Sequence, residues 1–211
     1  MGRVMFILAA AFFLSGCGKE GWKESKVMFD GEYQLKNADN MTFTFSEDST
    51  LTIVQNGIYE LGETDEGEPV VRICLDDITR ELPEDYNFTE YLLKEVDGHI
   101  VLTYTTEEFS LDANPMALFL LDGEDGLLSG EYFEGTYQIG DDGDSYQYFF
   151  REDGSVAMQV RERYYAERGE ITLYDHAGKT RYLYEETEDS LVLKNRKQEP
   201  ALILVKEQEA E

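Results

Sequence analysis

Three blocks of residues occur twice in this chain, in the same order, and that duplication limits what it can fold into. Gly31-Glu-Tyr-Gln-Leu35 matches Gly135-Thr-Tyr-Gln-Ile139, 104 residues on. Phe43-Thr-Phe-Ser-Glu-Asp-Ser-Thr-Leu51 matches Tyr148-Phe-Phe-Arg-Glu-Asp-Gly-Ser-Val156 at an offset of 105, and residues 89–102 match 180–193 at an offset of 91. The shrinking offset places a longer middle loop, residues 75–87, in the first copy. Ordered self-similarity of this kind is the mark of a repeated structural unit. The chain is therefore expected to hold two copies of one small module.

The module reads as β. Met41-Thr-Phe-Thr-Phe-Ser46 and Leu51-Thr-Ile-Val54 are short runs rich in β-branched and aromatic residues, parted by the turn-forming Glu47-Asp48-Ser49. Tyr146-Gln-Tyr-Phe-Phe150, Glu152-Asp-Gly154 and Val156-Ala-Met-Gln-Val160 repeat the arrangement. Asp-Gly turn signals recur at 97–98, 122–123, 125–126, 142–143 and 153–154. Short strands between regular turns predict a sandwich or barrel. Residues 75–85 alone have a helical flavour, and Pro83 limits them to a helical turn or loop. The expected fold is all-β: two tandem small antiparallel β-barrel or sandwich modules after an N-terminal helical signal peptide and a short tether. Each copy has the outline G-x-Y, then aromatic-x-aromatic-x-E-D-turn, then Y-L-x-x-E before a V-L strand. That outline resembles the small lipocalin-like β-barrel domains of bacterial lipoproteins. The resemblance implies a fold and a cell-surface address, and carries no catalytic residue.

The N-terminus supports such an address. An apolar run from Val4 to Leu14 follows Arg3 and ends in Leu14-Ser15-Gly16-Cys17. The run is too short for a bilayer core, which needs ~20 apolar residues, but it suits the h-region of a signal peptide. Small residues before a cysteine resemble a bacterial lipobox. The resemblance implies a diacylglyceryl group on Cys17, removal of residues 1–16, and Cys17 as the first mature residue. Residues 17–27 then form the lipidated tether, 28–121 the first module, 122–128 a linker, 129–206 the second module and 207–211 a tail. Within the tether, Lys19, Lys23, Lys26 and Trp22 suit a membrane interface, and Trp22 equally suits packing on the first module. The expected location is the extracytoplasmic face of the cell membrane, held by lipid.

The charge argues about partners. Lys and Arg total 18 against 45 Asp and Glu, a net of −27. Such a surface repels phosphate backbones, which excludes nucleic acid as a partner, and it favours cationic proteins or metal ions. A small-molecule ligand stands beside the cationic protein as the expected partner, and no cofactor is expected. Acidity that serves only solubility is the plainer account. The chain has two cysteines, Cys17 and Cys74, so lipidation of one leaves no intramolecular disulfide. Cys74 lies in a strand-like run as a small buried hydrophobe.

No residue set stands out as catalytic. His99 and His176 sit beside turns, outside any serine or cysteine motif, so the nucleophile–base pair of covalent catalysis is missing. Asp141, Asp142 and Asp144 are dense enough in oxygen to be candidate calcium ligands, but they lack the EF-hand spacing. Nine of the fourteen tyrosines fall in the second copy. There Gln159, Arg161 and Arg163 share a face by period-2 alternation, and Arg168, Lys179 and Arg181 follow. Arg161, Arg163, Arg181, Tyr182 and Tyr184 are therefore the candidate anion-binding rim. The expected function is non-enzymatic binding of a ligand or protein at the envelope. The alternative is inhibition of a basic enzyme such as lysozyme; Ser129-Gly130-Glu131-Tyr132 loosely resembles the motif of lipoprotein lysozyme inhibitors.

Overall fold

The computed structural model describes residues 24–29, 31–76, 86–104, 116–123, 125–140, 146–175 and 178–206. Cys17, the signal segment, the tail and Asp141, Asp142 and Asp144 lie outside them, as does most of the segment read as a helical turn. Among the described residues all regular structure is β: fourteen strands, every pairing antiparallel, and no helix. The first copy supplies β1 (Glu32–Leu35), β2 (Ala38–Phe45), β3 (Thr50–Glu63), β4 (Pro69–Cys74), β5 (Thr89–Val96), β6 (His99–Tyr104) and β7 (Met116–Gly123). The second supplies β8 (Gly135–Ile139), β9 (Tyr146–Phe150), β10 (Ser155–Glu167), β11 (Glu170–Asp175), β12 (Gly178–Glu186), β13 (Ser190–Lys194) and β14 (Pro200–Lys206).

Each strand pairs with its neighbours in sequence, and β1 closes the ring on β14. One further pairing, β3 with β10, crosses the ring and divides it into two eight-stranded barrels. The first barrel runs from β3 to β10. The second takes β10 to β14 and then β1 to β3. At 14 and 13 residues, β3 and β10 are the longest strands and reach through both barrels. Their ladder runs from Thr50↔Arg163 to Ile58↔Ser155, with Val54↔Gln159 in the middle. Because the second sequence block repeats at 105 residues, Val54 and Gln159 are each other's repeat equivalents. A local two-fold axis passes through that pair, and the copies exchange strands across it. Each barrel thus takes its opening strands from one copy and its closing strands from the other. The segment 122–128 ends β7 and places Leu127 in the core of the first barrel.

The two cores lie along one face of the β3–β10 ribbon. Side chains alternate with period 2 along a strand, so Leu51, Ile53, Tyr59 and Leu61 share a face of β3. Leu51 and Ile53 enter the second core, and Tyr59 and Leu61 enter the first. On β10, Val156 and Met158 serve the first core while Tyr164 and Ala166 serve the second. Where the ends of β2 and β4 meet β3, Gly57 leaves no room: a Cβ there would lie 2.0 Å from the Cys74 carbonyl oxygen. Cys74 itself is buried and forms no disulfide.

Equivalent tyrosines lock the two barrels. The Tyr59 hydroxyl donates to the Arg151 carbonyl at 3.0 Å and accepts from the Phe133 amide at 3.2 Å. Its equivalent, Tyr164, donates to the Ser46 carbonyl at 3.3 Å. The Tyr59 amide bonds the Gly154 carbonyl and the Tyr164 amide the Ser49 carbonyl, each at 2.9 Å. Both turn residues have positive φ, 79° at Gly154 and 65° at Ser49, a conformation glycine adopts with least strain. Phe133 and Phe29 plug the two cores at matching places, with ring centroids 5.4 Å from Phe150 and 5.1 Å from Phe45.

Two consequences can be measured. Since neither barrel can lose β3 or β10 alone, thermal unfolding is expected as a single calorimetric transition, lowered by damage to either core. Two resolved transitions would refute the shared ribbon. Tyr59→Phe strips a buried amide of its acceptor and should cost about 1–3 kcal/mol by urea denaturation.

Candidate anion-binding site

Charge divides along the molecule. Residues 56–160, which build most of the first barrel, hold 26 acidic and 4 basic side chains, whereas residues 161–206 hold nine of each. Four of those nine bases, Arg161, Arg163, Lys179 and Arg181, share the outer face of the β10–β11–β12 sheet. Register places Arg163 opposite Tyr174 and Tyr174 opposite Lys179, while Tyr165 pairs with Thr172 and Thr172 with Arg181. Directly opposed Cβ atoms in such ladders lie ~5 Å apart, and Lys179 and Arg181 are ~7 Å apart as alternate residues of one strand. The β13–β14 turn opens at the same end of the barrel. Asn195 caps it, its side-chain oxygen accepting the Lys197 and Glu199 amides at 2.8 and 3.1 Å. That turn carries Arg196 towards β12. Lys179, Thr180, Arg181 and Arg196 line an open groove of about 500 Å³.

The structure separates the rim expected from sequence. Arg161, Arg163 and Arg181 lie on the outer face of the sheet, but Tyr182 and Tyr184 pack against the core on the opposite face. Alternation of successive side chains is the reason; the Tyr184 ring sits 5.1 Å from Phe29. Arg163 is engaged locally, donating to the Asp48 carbonyl at 2.7 Å. Hydrogen bonding from Thr50, with Arg163 beside it, holds the Asp48 carboxyl below its usual range. Arg168 stands at the far end of β10, 3.7 Å from Glu167. The groove gains Arg196, which lies in the next hairpin; only the β12–β13–β14 pairing brings it near.

The other chemistry weighed from sequence is placed as follows. His99 lies on the outer face of the first barrel, its ring 4.4 Å from that of Phe119. Among the described residues no three His, Cys, Asp or Glu side chains converge to hold a metal. The Ser129–Tyr132 stretch is a turn, with the Ser129 hydroxyl donating to the Gly126 carbonyl at 2.6 Å and Tyr132 packed edge-on to Tyr59. Comparison with protein-family models, curated proteins and solved structures finds no match for this chain.

A second cluster fixes where the N-terminal segment joins the body. The Lys26 and Val27 amides bond the Ala166 carbonyl at 3.1 and 3.2 Å, and the Ala166 amide bonds the Ser25 hydroxyl at 2.9 Å. Lys26 Nζ reaches Glu167 Oε1 at 2.7 Å, and the Tyr165 hydroxyl donates to the other oxygen. Those two hydrogen bonds hold the Glu167 carboxyl down to about 2, and the Lys26 ammonium is pushed up in return. A depressed carboxyl stabilises above its unfolded value, 4.5, and that support is lost as pH falls towards about 2. The raised ammonium acts below 10.5 and is lost as pH climbs through its folded value. The clasp is therefore expected to hold through neutral pH and to loosen below pH 4.5. Glu167→Gln should loosen it at pH 7, read as faster proteolysis near Lys26; protection equal to wild type would show the ion pair to be dispensable.

Proposed function

We propose that the protein is a lipid-anchored, non-enzymatic binding protein of the extracytoplasmic membrane face, built from lipocalin-like barrels that take their ligand on the outside. The observation that carries the reading is the state of the barrel interiors. Eight-stranded barrels are just wide enough to be filled by side chains or to hold one small ligand. Here the Tyr59–Phe133–Tyr137–Phe150 cluster fills one, and Phe29, Tyr33, Phe45 and Tyr164 fill the other. Recognition then falls to the outer surface, where the Lys179–Arg181–Arg196 groove offers both concavity and charge. The lipobox-like Leu14–Cys17 stretch supports the anchor. Among the described residues no helix is long and apolar enough to cross a membrane.

One lipid chain holds a protein only marginally and two hold it stably, at ~0.8 kcal/mol per buried methylene. Cys17→Ser expressed in a lipidating bacterium is expected to move the protein from the membrane to the soluble fraction. Unchanged membrane association would refute the lipid anchor. The acid surplus of residues 56–160 favours one second reading, capture of a basic enzyme by the first barrel. Full lysozyme activity in the presence of excess protein would eliminate lysozyme as that target.

A further inference from the structure

The internal repeat gives each position of the cationic groove a control within the same molecule. Barrel pairings fix the equivalences: Ile58 and Cys74 pair as Arg163 and Tyr174 do, and Arg72 and Glu90 pair as Thr172 and Arg181 do. Arg161, Arg163, Lys179 and Arg181 therefore stand where the first copy has Asn56, Ile58, Phe88 and Glu90. The first copy builds the same three-stranded face without one of these cations, so the fold does not require them. Where the first copy does place a cation on this face, it neutralises it: Arg72 Nε donates to Glu90 Oε2 across the strands at 2.7 Å. In the second copy threonine replaces that arginine and arginine replaces that glutamate. Arg181 faces Thr172, and Lys179 and Arg196 line the same groove. None of the three groove cations is in an ion pair among the described residues.

Deepening the reading of outer-surface binding, on which it rests, we propose that the Lys179–Arg181–Arg196 groove binds a compact phosphate-bearing ligand carrying two or more negative charges. Three cations lining one groove exceed what one carboxylate can neutralise. A phosphate monoester brings about −1.5 to −2 charges and three acceptor oxygens, and guanidinium forks match its geometry. Compactness follows from the remaining surface. A long polyanion leaving the groove runs on to the first barrel, where 26 acids against 4 bases in residues 56–160 repel it. A small ligand stays within the Debye length, ~8 Å at physiological salt, where the local cations dominate. The same phosphate chemistry is available from a soluble polyphosphate or from the headgroup of a phosphomonoester lipid.

The test uses the full chain carrying Cys17→Ser, titrated calorimetrically with sodium tripolyphosphate at constant ionic strength set by sodium chloride. In parallel it is sedimented with phosphatidic acid vesicles and with phosphatidylcholine vesicles. Saturable binding is expected in at least one phosphate arm and not to phosphatidylcholine. Arg181→Glu, which installs the residue of the first copy, should weaken it at least tenfold, and Arg196→Ala should weaken it in the same direction. Lys94→Ala, on the first barrel, should leave it unchanged, and the ligand-free midpoint of each variant should stay within about 2 °C of the parent. Should Arg181→Glu fail to fold, Arg181→Gln serves as the probe. Binding in the vesicle arm alone assigns the phosphate to a lipid headgroup, and binding of tripolyphosphate assigns it to a soluble ligand. Absence of binding in both arms overturns the proposal, as does binding that Arg181→Glu leaves intact. Neither outcome touches the anchor at Cys17, whose fractionation test succeeds or fails by itself.

Discussion

The antiparallel ladder between β3 and β10 is the constraint on which the molecule depends. Nine consecutive residue pairs, from Thr50↔Arg163 to Ile58↔Ser155, turn a ring of fourteen strands into two barrels. A fourteen-stranded ring left open would enclose a wide lumen, since barrel diameter grows with strand number. Cross-linking it reduces each half to eight strands, a width that aromatic side chains can fill. The ladder also explains why the exchange is stable. Tyr59 follows β3 into the first barrel and meets Arg151 and Phe133 of the second copy. Tyr164 follows β10 into the second barrel and meets Ser46 of the first copy. Each barrel is closed by the other copy's turn.

Filling both interiors has a consequence for function. A hollow barrel recognises a ligand by the shape of its cavity, whereas a solid one can vary only its loops and outer face without disturbing its packing. The second copy shows such variation on β10 to β12. Ile171, Leu173, Tyr182 and Tyr184 keep the inward positions apolar or aromatic, as Val71, Ile73 and Tyr91 do in the first copy. The outward register has instead exchanged Asn56, Ile58, Phe88 and Glu90 for bases and Arg72 for threonine. The same alternation that holds the core constant leaves the surface free to diverge.

Much of this was legible in the sequence, and the rest was not for a physical reason. The strands, their turns and the duplication follow from local pattern, because period-2 alternation and Asp-Gly turns are local properties. Cys74 was legible for the same reason. Strand exchange was not. Both a self-contained module and an exchanged one satisfy the same alternation, and only the length of β3 and β10, 14 and 13 residues, hinted that each served two partners. The grouping of Tyr182 and Tyr184 with Arg181 failed because neighbours in sequence point to opposite faces of a strand. Arg196 needed the β13–β14 hairpin to be placed before it could join a groove on β12. Position along the chain identified the cations, and register selected among them.

The N-terminal clasp ties these features to an orientation. Residues 24–29 join the body at the Ala166–Glu167 end of β10, and Phe29 seals the core beside it. An anchor at Cys17 lies seven residues before Glu24, a reach of at most ~25 Å of extended chain. Under the proposed anchor the second barrel, with its balanced charge, would stand nearest the lipid, and the acid-rich first barrel would be held beyond it. The order is the electrostatically favourable one. A surface with 26 acids against 4 bases would be repelled by an anionic leaflet, and under the proposed anchor the ribbon of β3 and β10 would hold it a barrel's length away. With the proposed anchor in place, the asymmetry of charge between the two barrels would give the molecule a membrane side and an outward side.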